Sequence, residues 1–279
     1  MQQAKTIPYP LAFSTLACPD WLWAQIVQKA VEYGYQGIEL RGVEGEMDLT
    51  KAAPFTGSRM AATKRELRER GLAIPCLDTS CHFDQLDALQ KNIDEGKRHI
   101  DLAVTLEASC IRVFGDRIAD SQSREKILAQ VAEGLLALAQ YAEGTGVSVL
   151  LESHGDFAQT QNLLAVMEAV RHPQVGVLWD VHHPYRFFAE PLADTYQKLK
   201  RYIQHVHLKD SVTDEGGEVR YCLQGQGVLP LAEVLQLLRA GGYAGWIAFE
   251  WEKRWHPEIE EPEVALPGFV RLLRPAETF

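Results

Sequence analysis

The feature that most constrains this chain is an alternation. Eight short apolar runs with strand character recur along it: "LAFSTLAC" (11–18), "GIELR" (37–41), "AIPCLDT" (73–79), "CIRVFGD" (110–116), "VSVLLESHG" (147–155), "VGVLWDVHH" (175–183), "IQHVHLKDS" (203–211) and "WIAFEWE" (246–252). Longer stretches with apolar residues at three- and four-residue spacing separate them, as amphipathic helices require. "DWLWAQIVQKAVEYG" offers Asp20 as an N-cap and Gly34 as a C-terminal stop. "PLAEVLQLLRAGG" (230–242) opens with Pro and closes with Gly. Strands alternating with helices form parallel sheets, and eight repeats in an undivided chain favour closure into a (β/α)8 barrel, a single α/β domain over residues 1–279. The length of 279 residues suits a fold of about 250 residues. An open doubly wound sheet is the alternative, but no GxGxxG follows the first run, and "GQGVLP" (225–230) reads as a turn. One connection departs from the pattern. Residues 211–229 are too polar and glycine-rich for a helix, so a long loop after the seventh strand is expected, with a small hairpin at "DEGGEVRYCL" and a lid's position over the C-terminal face.

Charge narrows the function classes. The formal net charge is −10 and the sequence pI is about 5.4. No dense Lys/Arg run is present, and "KRELRER" (64–70) mixes signs at helical spacing, so a nucleic-acid partner is not expected. No apolar run reaches the ~20 residues that span a bilayer, and the N-terminal segment lacks the apolar core of a secretory signal. The five cysteines are odd in number and show no CxxC spacing. Reduced, buried thiols in a cytoplasmic enzyme account for them.

A barrel of this type works at the C-terminal ends of its strands. Side chains alternate along a strand, so one parity per run faces inward. The last inward residues of runs five to eight are then Glu152, Asp180, His207 and Glu250. Three carboxylates and an imidazole converging in a barrel mouth would repel one another if bare. A divalent cation resolves this, and the oxygen-rich set suits Mn²⁺ or Mg²⁺, with Co²⁺ and Zn²⁺ also accommodated.

The order Glu (run five), Asp-x-x-His (run six), His-x-Lys-Asp (run seven) and Glu (run eight) resembles the sugar phosphate isomerase/epimerase superfamily of xylose-isomerase-like TIM barrels. "GIELR" and "IRVFGD" are similar to that group as well, and the resemblance covers nearly the whole chain. It implies that Glu152, Asp180, His207 and Glu250 bind one divalent metal ion, Mn²⁺ foremost. It implies that His183 lies near the substrate, and that His154 and Lys209, the latter at the rim, touch substrate oxygens. Glu39 and Arg112 are substrate contacts or a buried ion pair with each other, and His82 lines the pocket or lies outside it. His205 is expected one layer beneath His207, in support of it.

The chemistry implied is abstraction of a proton next to a carbonyl, giving a metal-stabilised enediolate of a small sugar or keto-polyol. Glu152 and Glu250 would remove and return that proton, in an isomerase or epimerase. A dehydratase of the inosose or 3-dehydroshikimate type shares the first step. An endonuclease IV-like nuclease is disfavoured, since "SVTDEGGEVRYCLQG" lacks the histidine of that group's further metal ligands. A non-catalytic sugar-binding barrel is disfavoured because all four ligands are present. Family members often pair, so a homodimer or tetramer is compatible with the chain.

Overall fold

The computed structural model describes residues 9–119 and 123–274. The eight runs become the strands β1 (Leu11–Ser14), β2 (Gly37–Glu39), β3 (Cys76–His82), β4 (Cys110–Phe114), β5 (Ser148–Glu152), β6 (Val175–Asp180) and β7 (Ile203–Leu208), and, after the hairpin strands β8 (Asp210–Thr213) and β9 (Val219–Cys222), β10 (Trp246–Phe249). The barrel order is β2-β1-β10-β7-β6-β5-β4-β3, all neighbours parallel. Parallel bridges Gly37↔Ala73 and Leu40↔Leu77 join β2 to β3 and close the circle. β10 is thus the eighth barrel strand.

The helices α1 (Trp23–Tyr33), α2 (Arg59–Glu69), α3 (Leu89–Leu106), α4 (Arg124–Tyr141), α5 (Thr160–Val170), α6 (His182–Phe188), α7 (Leu192–Leu199), α8 (Leu231–Ala240) and α9 (Pro262–Leu273) follow the strands. Local chemistry sets their ends. Gly34 takes the left-handed conformation (φ 86°) and donates its N–H to Ala30 and Val31, ending α1. Ser123 caps α4 by accepting the Lys126 N–H. The expected Asp20 cap is corrected: α1 starts later, and Glu44 Oε1, from the loop after β2, accepts the Trp23 N–H at 3.1 Å. No helix among the described residues is long and apolar enough to cross a membrane.

Two layers fill the barrel. Cys76, Cys110, Leu150 and Leu178 form a small apolar cluster of their own, separate from the main core between strands and helices. Above it the interior turns polar, with Glu39, Asp78, Arg112, His205 and His207 all buried. The apolar plug closes the bottom and leaves the charged groups facing the C-terminal mouth.

The long connection after β7 carries the hairpin, with β8 antiparallel to β9 from Asp210↔Cys222 to Thr213↔Val219. Its turn falls in the expected "DEGG" segment, where Asp214 accepts the N–H groups of Gly216 and Glu218. Asp210 anchors the base: its carboxylate accepts the backbone N–H groups of Ser211, Gly225, Gly227 and Leu229 at 2.9–3.0 Å.

Candidate metal centre and substrate cleft

Four consecutive barrel strands place the expected ligands together. Ligand atoms of Glu152, Asp180, His207 and Glu250 lie within 4.8 Å of one another, and all four residues are buried. This is the one group of four such residues among those described. Each side chain follows an apolar run locked into the sheet, so its backbone is rigid. Glu152 Oε2, Asp180 Oδ2 and His207 Nδ1 are buried and make no hydrogen bond, but stand in charge contact with Arg112, Lys209 and Glu250 respectively. Buried polar atoms are costly when unpaired. Three carboxylates and one imidazole converging this closely form an oxygen-rich donor set, and that set fits a hard divalent cation.

Second partners orient the ligands. His207 Nε2 stands 2.8 Å from Glu39 Oε1, while Nδ1 faces Glu250 Oε2 at 3.4 Å. The other Glu39 oxygen hydrogen-bonds His205 Nε2 at 2.6 Å. Burial opposes ionisation of Glu39, but His207 and His205 together hold it well below the usual carboxylate range. Arg112 Nε lies 3.0 Å from Glu152 Oε2 and 3.2 Å from Asp78 Oδ1. Burial and the charge of Glu39 push Asp78 up to about 8, against the pull of Arg112. The pairing of Glu39 with Arg112 therefore does not form, and both side chains are buried, Glu39 0% and Arg112 1% exposed.

Lys209 differs from its expected place at the rim. It is 1% exposed, and its Nζ lies 2.5 Å from Glu250 Oε2, 2.6 Å from Glu252 Oε1 and 2.8 Å from Asp180 Oδ2. Tyr221 of β9 covers it, with the ring centroid 5.8 Å from Nζ, and packs edge-on against His256. The charges of three carboxylates explain why an ammonium is buried here at all.

The remaining candidates divide. His154 and His183 face each other with ring centroids 5.1 Å apart. His183 Nδ1 lies 3.0 Å from the Ser153 carbonyl oxygen, and burial holds its pKa well below the ordinary imidazole range. His154 Nδ1 lies 3.5 Å from Asp116 Oδ1; burial opposes its charged form, but Asp116 and Glu152 outweigh it and raise the pKa. Both line a cavity of about 320 Å³ with Arg117, Phe187 and Phe188. His82 stands apart from the four-residue cluster, with Nδ1 2.6 Å from Asp84 Oδ1 and Asp116 close by. Asp78 and Glu252 were missed in the sequence, although the parity that marks Glu39 and Glu250 also marks them.

Comparison with known proteins agrees with this architecture. The sequence model of the xylose isomerase-like TIM barrel family matches residues 27–271. Fructoselysine 3-epimerase of Shigella flexneri is 25% identical over 166 residues, 58% of this chain; the chain spans 59% of that enzyme's length. Inosose dehydratase of Serratia proteamaculans is 29% identical over 247 residues, covering 75% of this chain and 82% of that one. A xylose isomerase-like TIM barrel protein from Mycobacterium smegmatis, in complex with magnesium, superposes with a TM-score of 0.72 at 18% identity and covers 98% of both chains. Strand order, closure and sequence match lead to one conclusion: the chain belongs to the xylose isomerase-like TIM barrel family.

Proposed function

We propose that this protein is a divalent-metal-dependent isomerase or epimerase of a small sugar or keto-polyol, with Glu152 and Glu250 as its acid–base pair. The observation that carries the reading is the convergence of Glu152, Asp180, His207 and Glu250 within 4.8 Å at the ends of four adjacent strands. These residues would hold one ion, Mn²⁺ foremost and Mg²⁺, Co²⁺ or Zn²⁺ as alternatives. When bound, the ion polarises a substrate carbonyl and an adjacent hydroxyl and lowers the cost of negative charge developing on them. Glu250 and Glu152 come from non-adjacent strands, β10 and β5, and would approach a bound carbon from different sides. One carboxylate removes the proton next to the carbonyl; the other returns a proton to the opposite face or to the neighbouring carbon. Lys209 and Arg112 neutralise the carboxylates they touch. His154 and His183 bind substrate hydroxyls, Phe187 and Phe188 wall the cleft, and the 211–229 loop closes over it.

Loss of water is the second reading. His154 beside Asp116 favours it, because an imidazole–carboxylate pair next to the cluster can donate a proton to a departing hydroxyl. The relatives include enzymes of both kinds.

Proton exchange tests the proposal. Mn²⁺-loaded protein is incubated in D₂O with ketoses, ketose phosphates and inososes, and deuterium at carbon is followed by NMR. Exchange with a new sugar and no water loss is the expected result. An unsaturated ketone moves the protein to the dehydratases, and absence of exchange with every compound contradicts both readings.

A further inference from the structure

Arg41 ends the "GIELR" run two residues beyond Glu39, on the same inward parity. In the barrel order β2 lies across from β6, which carries Asp180. The backbone there is fixed. The Arg41 N–H donates to Thr15 Oγ1 at 2.7 Å, and the Thr15 hydroxyl donates to the Gly42 carbonyl at 2.8 Å. Gly42 has φ 78°, and a Cβ on it would come within 2.6 Å of Met47 Sδ. The chain therefore turns away directly after Arg41, which fixes its backbone just beyond the C-terminal end of β2.

Its guanidinium is left alone. Nη1 is buried without a hydrogen-bond partner, and Arg41 forms no salt bridge among the described residues. The cations buried as whole residues are satisfied. Lys209 meets three carboxylates, Arg112 meets two, and Lys253 meets Glu261 and the carbonyls of Pro257 and Ile259. Burial lowers the Arg41 pKa to about 10, Arg112 adds repulsion, and Asp78, Glu250 and Glu95 oppose it. The group stays charged at neutral pH, and the charges acting on it include those of the metal cluster and its supports. A guanidinium with a buried nitrogen and no anion is costly to hold, and its fork of donors matches a carboxylate or phosphate.

We propose that Arg41 recognises an anionic substituent, carboxylate or phosphate, on the substrate, at the end away from the carbonyl that reacts. This rests on the metal-site reading above and deepens it by naming the substrate class. The matched probes are D-fructose, D-fructuronate (the terminal hydroxymethyl oxidised to a carboxylate) and D-fructose 6-phosphate. Calorimetric titration of Mn²⁺-loaded wild type, R41M, R41Q and R41K measures each affinity, with circular dichroism and Mn²⁺ content as controls. At least one anion should bind the wild type about tenfold or more tightly than fructose. R41M and R41Q should bring that anion down to the affinity of fructose, and R41K should keep part of the preference. Which anion gains identifies the substituent. No gain for either anion in the wild type, or a gain that survives R41M and R41Q, overturns the proposal while metal uptake still stands. Wild type that takes up no Mn²⁺ overturns the metal-site reading and this inference with it.

Discussion

The two sides of the barrel mouth treat positive charge in opposite ways. On the β6–β7–β10 side, Lys209 is enclosed by Asp180, Glu250 and Glu252. On the β2 side, Arg41 has a buried nitrogen and no counter-ion. A compensated cation holds a site in shape. An uncompensated one is available as a binding group, because an incoming anion relieves its desolvation. The difference separates residues that build the centre from residues that read the substrate.

Substitutions on the two sides of the mouth should behave differently. Glu250→Gln should have the largest effect, lowering kcat by about 10²- to 10⁴-fold with the fold retained, as general acid–base groups contribute on that scale; turnover with parallel metal analysis measures it. Lys209→Met leaves buried carboxylates unpaired and should destabilise the metal-free protein by about 3–5 kcal/mol in urea unfolding. A change below about 1 kcal/mol would mean that the lysine is not compensating them. Glu39→Gln should weaken Mn²⁺ binding roughly 10- to 100-fold by calorimetry, since it removes the carboxylate that orients His207. Arg41→Met should move stability least, within about 1 kcal/mol of wild type. A loss as large as that of Lys209→Met would place Arg41 among the structural cations.

The fold was legible because each barrel strand is an apolar run bounded by helical spacing, and the period-2 parity singled out Glu152, Asp180, His207 and Glu250. Parity also placed Glu39 and Arg112 inward, but not their depth. Depth depends on how neighbouring strands are staggered, and that stagger pairs Glu39 with His205 and His207 instead of Arg112. Lys209 was expected at the rim because its cover, Tyr221, comes from a hairpin whose docking no local pattern states. The α1 cap was misread for a similar reason: Glu44 lies 21 residues from Trp23. Asp210 entered the sequence only as the last residue of the His-x-Lys-Asp motif, without a structural role, because its four partners are backbone N–H groups of a loop that has to fold first.

Everything proposed for the mouth depends on Glu152, Asp180, His207 and Glu250 holding one divalent ion. Calorimetric titration of metal-free protein with Mn²⁺, on wild type and on His207→Ala, tests it most directly. The wild type should bind one ion per chain, and the variant should lose that binding. No uptake of Mn²⁺, Mg²⁺, Co²⁺ or Zn²⁺ by the wild type, or equal uptake by His207→Ala, would contradict it.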